Sequence, residues 1–523
     1  MKKIFWILLL MTTPLPAQQK IWQTQTGGKH AEYLYDGLYT LDYGFLMVGG
    51  SFSASGDVPE HLGMFDAFVT KIDEDGRKEW TRVWGGKGND IFRCIANTQD
   101  GGYMLAASSS SGQGKYKKVP HIGQDDIWLI QIDITGKETK QLVLGGAAND
   151  YPVKVLRTRD GGYLIGAVSY SDSIQSADSL ARMPGVILKH SPSYGNADYW
   201  IIKLDANYRL QWEKTLGGKQ ADILTGLVEL PGGQIILAGY SNSQAGDNKT
   251  YDTQGANDWW IIALSPGGNI LWQRQFGAEG NDELYALAVS KDGRILAGGF
   301  VTKENQGKSQ TDMALVKWDE RGNLLWKKTF DRSHKDILQD ILVNDDGSLI
   351  LGGYATRTGS PLKKIKTPGG KGNDDFWLLK TGAEGKKRWE KFFGTPGKDV
   401  LQRIIALRDG GYVLTGTTKP WNSPTADADF LIMKIADPEK PLRKPLPLEA
   451  VPNPAGDYTR IVIGRKYQKG HLILSDLDGH ILDEFNIRRQ RIIPLKTTGL
   501  RPGIYIVKVT ADDMENSIKI IKN

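Results

Sequence analysis

The chain has 523 residues, 40% of them hydrophobic and 24% charged, the balance of a folded protein too long for one compact core. Its formal charge of +6 comes from Lys and Arg spread along the whole length. That excludes the basic stripe with interleaved aromatics that a nucleic-acid groove needs, so no nucleic-acid partner is expected. The lone Cys94, in the run IFRCIAN, has no disulfide partner and reads as a small buried hydrophobe.

Residues 1–17 read as a signal peptide. Lys2 and Lys3 precede the apolar run Ile4 to Met11, which is too short to span a bilayer, and Leu15-Pro16-Ala17 has the form of a cleavage site before Gln18. No cysteine follows to carry a lipid, and no later run is long enough for a transmembrane helix.

Glycine, at 62 residues, falls in pairs at regular intervals, which marks tight turns. A turn followed by a carboxylate that opens an apolar strand recurs seven times. The copies are GGKHAE to Glu32, GGKGND to Asp90, GGAAND to Asp150, GGKQAD to Asp222, GAEGND to Asp282, DRSHKD to Asp336 and GTPGKD to Asp399. They stand roughly 54 to 72 residues apart, the length of a propeller blade with extra loop.

Each copy reads as four strands. The first follows the carboxylate. A tight DGG or PGG turn leads to the second, such as QIILAGY. The third begins at an aspartate: Asp66, Asp126, Asp198, Asp258, Asp312, Asp375 and Asp429. The fourth carries Trp80, Trp212, Trp272, Trp326 or Trp389, with Lys140 in that place in the second copy. The inner strands are apolar on both faces and the fourth strands are more polar, so each sheet must be covered on both sides. The expected fold is all-β: a seven-bladed β-propeller over residues 18–436.

The seventh copy has no fourth strand after Phe430 to Ile435, whereas Ile21 to Gly28 matches the pattern of Leu210 to Gly218. The N-terminal strand is therefore expected to complete the last blade. The connection between second and third strands is long in every copy, so seven long loops are expected on one face, where binding sites are usually built.

Residues 437–449, DPEKPLRKPLPLE, form a Pro-rich charged linker. Beyond it come Val451-Pro452-Asn453-Pro454-Ala455, then LILSDLDGHIL with Gly479, then IIPLKTTGL, then Gly503-Ile504-Tyr505-Ile506-Val507. Residues 450–523 so resemble the C-terminal sorting domain of the type IX secretion system, with Val451 where that family more often has an aromatic. The resemblance implies a small, immunoglobulin-like β-sandwich that engages the type IX machinery. It also implies a protein secreted or attached to the outer surface of a Gram-negative bacterium. The repeats resemble uncharacterised propellers joined to that domain. The rhythm of DEDGRKEW is also similar to quinoprotein dehydrogenases, which have eight blades and dedicated cofactor ligands, whereas seven repeats are counted here and no residues are assigned to those ligands.

The blade-entry carboxylates Glu32, Asp90, Asp150, Asp222, Asp282, Asp336 and Asp399 read as caps for backbone N–H groups in their turns, with a cation-holding ring at the channel mouth as the alternative. The third-strand aspartates share that reading. The repeated Trp residues read as core, and Trp421, in a loop, is the candidate stacking platform. His61, His121 and His190 lie in the long loops of adjacent blades. His61 and His121 each stand five residues before a third-strand Asp, a metal-ligand set in type, although solvated histidines are the ordinary outcome and no metal or cofactor is expected. HExxH, GxSxG and GxxxxGK[ST] do not occur, and the carboxylates are too many to single out a glycosidase pair. The expected function is a monomeric, non-enzymatic binding module whose loop face meets a polysaccharide or a surface protein. The alternative is a hydrolase or lyase acting on polysaccharide at that face.

Overall fold

The structure, a computed structural model, describes residues 20–174, 179–305, 308–332, 335–356, 374–420 and 427–523. The signal peptide expected at residues 1–17 lies outside them. Among the described residues there is no α-helix, and no helix long and apolar enough to cross a membrane.

Blade 1 shows the repeated unit: four antiparallel strands, Glu32–Tyr39, Phe45–Ser51, Asp66–Ile72 and Lys78–Trp84, paired in that order. Every residue of its second and third strands is buried, while the fourth opens with exposed Lys78 and Glu79. Continuous burial is possible because neighbouring sheets cover both faces. One core cluster joins Val48 and Val69 of blade 1 to Phe92, Leu105 and Trp128 of blade 2. Large side chains buried this completely stabilise the fold by roughly 1.5–3 kcal/mol each.

Seven such sheets follow one another. Their first strands touch in order, and that of the seventh, Lys398–Ala406, touches Glu32–Tyr39 of the first. The ring is latched by Lys20–Thr26, which pairs antiparallel with Asp429–Ile435 and sets Trp22 opposite Lys434. Trp22 donates its indole N–H to Glu74 O at 3.0 Å and lies over Gly76 in the next blade's hairpin. Trp80 over Gly136, Trp212 over Gly268, Trp272 over Gly322 and Trp326 over Gly385 repeat this clasp. Each glycine sits at positive φ and its missing Cβ makes room for the indole. Trp389 meets no such hairpin, because the last blade takes its fourth strand from the N-terminus, and at the junction of blades 2 and 3 the roles change together: Tyr208 replaces the glycine at φ 67°, and Lys140 replaces the tryptophan and lies over the Tyr208 ring at 4.4 Å.

Two loop expectations need correction. The long connection of blade 3 contains Val186–Leu188, which adds a parallel fifth strand beside Val143–Gly145 of blade 2. The connection expected as a loop from Val301 to Thr311 is instead an extension of the hairpin Ile295–Asn305 and Lys308–Trp318. Its residues stay in register, with Val301 opposite Asp312 and Lys303 opposite Gln310.

On the face away from the loops, buried or half-buried third-strand lysines pair with hairpin aspartates. Lys71–Asp42 (3.0 Å), Lys203–Asp160 (2.8 Å), Lys317–Asp292 (3.2 Å) and Lys434–Asp409 (2.7 Å) repeat the device. In blade 6 Lys380 reaches Asp437, the first linker residue, at 2.6 Å, with both side chains fully buried.

The C-terminal unit has two sheets, one of Leu448–Val451, Tyr458–Ile463 and Ile492–Lys496, the other of four strands between Gly470 and Lys522. They enclose a common core that includes Ile461, Ile493, Leu474 and Val507. This unit docks on the loop-poor face. Arg491 meets Glu74 at 2.7 Å, Lys466 meets Asp73 at 2.7 Å and Asp75 at 3.2 Å, and Arg408 meets Glu449 at 3.0 Å.

Candidate functional site

The repeated carboxylates are turn caps in the structure. All seven entry acids are fully buried. Gly86 N donates to Asp90 Oδ2 at 2.9 Å, Gly146 N to Asp150 at 2.7 Å, Gly218 N to Asp222 at 2.7 Å and Gly28 N to Glu32 at 2.6 Å. Ala278 N, Arg332 N and Thr395 N do the same for Asp282, Asp336 and Asp399. The third-strand acids cap the preceding loop: Leu62 N donates to Asp66 at 2.8 Å, Ile122 N to Asp126 at 2.8 Å and Gln254 N to Asp258 at 2.7 Å. The two sets meet across the turn glycine. A Cβ on Gly85 would sit 2.7 Å from Asp66 Oδ1 and 2.9 Å from Asp90 Oδ2.

Burial pushes the pKa values of Asp66 and Asp150 up to about 6. Lysines missing from the sequence reading offset part of this. Lys117, Lys189 and Lys249 are buried beside the acid pairs of blades 2, 3 and 4, each within 6.0 Å of an indole centroid. Lys117 donates to Ser109 Oγ at 2.9 Å and Ser111 O at 2.8 Å. Burial pulls its ammonium below the ordinary value while Asp126 and Asp90 push it back. The sequence signal is a lysine nine residues before the third-strand Asp (117 and 126, 189 and 198, 249 and 258, 303 and 312).

The histidines do not come together. His61 Nε2 lies 2.9 Å from Met64 O, His121 Nδ1 lies 3.0 Å from Asp126 Oδ2, and the exposed His190 borders a cavity of about 410 Å³ on the outer edge of blades 2 and 3. Trp421 lies outside the described residues. Among those residues, metal-ligating atoms converge at Asp312, Asp331 and Asp336 and at Asp476, Asp478 and His480, and neither group includes a predicted histidine. The sorting motif has structural duties: Asn453 Nδ2 donates to Lys519 O at 2.9 Å, Ile521 N donates to Asn453 Oδ1 at 2.9 Å, and Tyr505 O–H donates to Arg501 O at 2.8 Å. Pro452 O accepts from Thr459 Oγ1 at 2.7 Å, Pro454 lies between these anchors, Gly479 takes φ 88° in its turn, and Gly503 opens its strand.

What does differ from blade to blade is a ring around the axis. Every first strand breaks register at its fourth residue after the turn, and this bulge interposes one extra residue. The seven are Tyr35, Arg93, Val153, Thr225, Tyr285, Gln339 and Gln402. All are half-buried, and neighbours reach one another across blades: the Arg93 guanidinium lies 4.4 Å from the Tyr35 ring and 6.0 Å from that of Tyr151. Bulges re-aim side chains: Thr225 Oγ1 donates to Leu284 O of the next blade at 2.7 Å, and Val153 packs on the core between blades 3 and 4. Tyr151 packs edge-on against Tyr170 at 6.1 Å and Tyr240 against Tyr285 at 6.2 Å, which extends an aromatic rim on the long-loop face. One residue deeper the axis is crossed by charges. Arg403 contacts Asp340 at 3.0 Å and Asp36 at 3.5 Å, and Lys154 reaches Asp36 at 3.7 Å. A cavity of about 240 Å³ opens where blades 7 and 1 meet, lined by Tyr33, Tyr35, Lys398, Val400, Gln402, Lys419 and neighbours.

The sheets and their order define a β-propeller. Residues 450–523 match the family described as the secretion system C-terminal sorting domain, so the chain is a β-propeller that ends in a type IX secretion sorting domain. It is 26% identical over 260 residues to the regulatory protein FlaEY of Caulobacter vibrioides, a match covering 46% of this chain and 26% of that protein, so the chain spans about a quarter of that relative. Among solved structures it is similar to a fungal alcohol oxidase of the AA5 family in complex with copper (11% identity, TM-score 0.46, covering 96% of this chain and 100% of that one). It is also similar to YCF48 bound to a D1 peptide (10% identity, TM-score 0.43, covering 81% and 96%).

Proposed function

We propose that the protein is an exported binding module that captures its ligand at the axis on the long-loop face, without catalysing a reaction. The observation that carries this reading is the contrast between two sets of repeated positions. The acids that an enzyme would need are sealed in turns and occupied by backbone amides. The bulged residues change from blade to blade, with five residue types over seven positions and tyrosine at two of them. Scaffold positions are acids throughout and bulged positions vary, as expected where a rigid ring presents one asymmetric surface. In this reading the protein acts as a monomer, secreted or held at the outer surface of a Gram-negative bacterium, and its partner is a polysaccharide or a surface protein.

The test pairs a glycan array with a reducing-sugar release assay on the full chain. Tyr285→Ala and Tyr35→Ala are expected to lower array binding at least tenfold, with no sugar release by the parent protein. Sugar release that disappears on substituting one axial residue would replace this reading with a hydrolase or lyase.

A further inference from the structure

The cavity between blades 7 and 1 carries an arrangement that fold stability alone disfavours. Lys398 and Lys419 are directly opposite each other across the strands Lys398–Ala406 and Tyr412–Lys419. Like charges in register destabilise a sheet. Lys398 is partly compensated by Asp374 at 3.5 Å, whereas no ion pair involves Lys419 among the described residues. Both side chains are exposed at the mouth and line the cavity.

The rest of the lining completes a chemical description. Tyr33 and Tyr35 form one wall, Gln402 and Thr417 supply an amide and a hydroxyl, and Leu34, Val400 and Ala428 are apolar. Among the described residues, no carboxylate belongs to the lining. The nearest repeated acids, Glu32 and Asp399, are fully buried, with Glu32 accepting from Gly28 N and Ser51 Oγ and Asp399 accepting from Thr395 N. Deeper, Asp36 is already matched by Arg403 and Lys154. The cavity is therefore cationic, half-open, walled by aromatic faces and about the size of a single sugar ring.

Resting on the binding reading above, we infer that this cavity takes one unit of an acidic polysaccharide, a hexuronate. The two ammonium groups would receive the carboxylate, the tyrosines would stack on the C–H face of the pyranose, and Gln402 and Thr417 would meet its hydroxyls. The anion would also relieve the cross-strand repulsion, so binding and local stability are coupled.

Isothermal titration of the full chain with an oligogalacturonate, a neutral galacto-oligosaccharide of equal length and polyglutamate tests this. The expected result is binding of the oligogalacturonate alone, weakened at least tenfold by raising salt from 0.05 to 0.5 M. Lys419→Ala should lose that binding at least tenfold while its melting temperature in the absence of sugar holds or rises. Tyr33→Phe should retain binding and Tyr33→Ala lose it. Equal binding of the neutral sugar, stronger binding of polyglutamate, no binding of the uronate, or unchanged uronate affinity in Lys419→Ala would each overturn the inference. Neutral-sugar binding that is lost in Tyr285→Ala would do so while leaving the binding reading intact. An array on which no glycan or protein responds to the axial variants would remove that reading as well.

Discussion

Position 57 is an aspartate, paired with Lys78, where blades 2, 3 and 4 hold Lys117, Lys189 and Lys249. Burial, with Glu32, Asp427 and Asp57 adding to it, pushes Asp429 up to about 6. Asp66 and Asp150 lie at about the same value for want of solvent. Between the ordinary carboxylate value of 3.8 and about 6 the folded chain keeps protons that the unfolded chain has released. Stability from these groups therefore falls as pH rises through that window. Asp160, held near 2 by Lys203 and Thr158 against its burial, has the opposite sign but titrates below the window. Melting curves of the full chain should drop in midpoint from pH 4.5 to pH 7, and Asp150→Asn with Asp429→Asn should flatten the drop. Parallel curves for parent and variant would mean that ionising these acids costs the fold nothing. A separate expectation concerns Lys380: its replacement by Ala strands the buried Asp437 carboxylate and should cost about 3–5 kcal/mol in urea unfolding.

The clasp between blades is a two-residue unit, an indole on one edge strand over a glycine in the next hairpin. Where the glycine becomes Tyr208, the tyrosine fills the space, stacking on Tyr163 at 5.1 Å and donating to Gln131 Oε1 at 2.9 Å. An indole there would be one ring too many, which is why Lys140 fits. Lys140→Trp alone should destabilise the protein by about 1–3 kcal/mol through overpacking. Combined with Tyr208→Gly it should cost less than the two single changes summed, and a double-mutant cycle of chemical unfolding reads the coupling directly. An additive result would show that the two positions do not sense each other. Much of this was legible in the chain, because a Trp or Gly at a fixed offset repeats and the repeat exposes its own exception. The bulges were not. One extra residue in an apolar strand leaves its hydrophobic pattern intact, so nothing in ILTGLVEL tells that Thr225 is the residue the bulge interposes. The short strand Val186–Leu188 escaped for a related reason: three residues inside a polar loop carry too little periodicity to compete with the loop signal. The lysine nine residues before the third-strand aspartate in blades 2 to 5 was readable, but only by aligning the copies on that aspartate and not on the turn.

For the molecule as a whole, the two ends of the propeller chain are brought to one blade, and the loop face is left clear because the C-terminal unit sits on the other side. Nothing in local sequence foretells that docking, since Arg491 and Lys466 find Glu74 and Asp73 only after both units have folded. The linker residues 441–447 are exposed throughout. A protease site placed there should be cut readily, yet the fragments should elute together in 50 mM salt and separate near 0.5 M, because ion pairs at a rim are screened. Lys466→Glu with Arg491→Glu should separate them already at 50 mM. Co-elution of that variant's fragments would assign the contact to apolar packing around Tyr39, Tyr43 and Pro452. A nick in the connecting segment would thus not be the moment of parting. The severed pieces would travel as one particle until the surrounding brine, or a competitor for the same acidic rim, pried them apart, and the ionic composition of the exterior would set the timing.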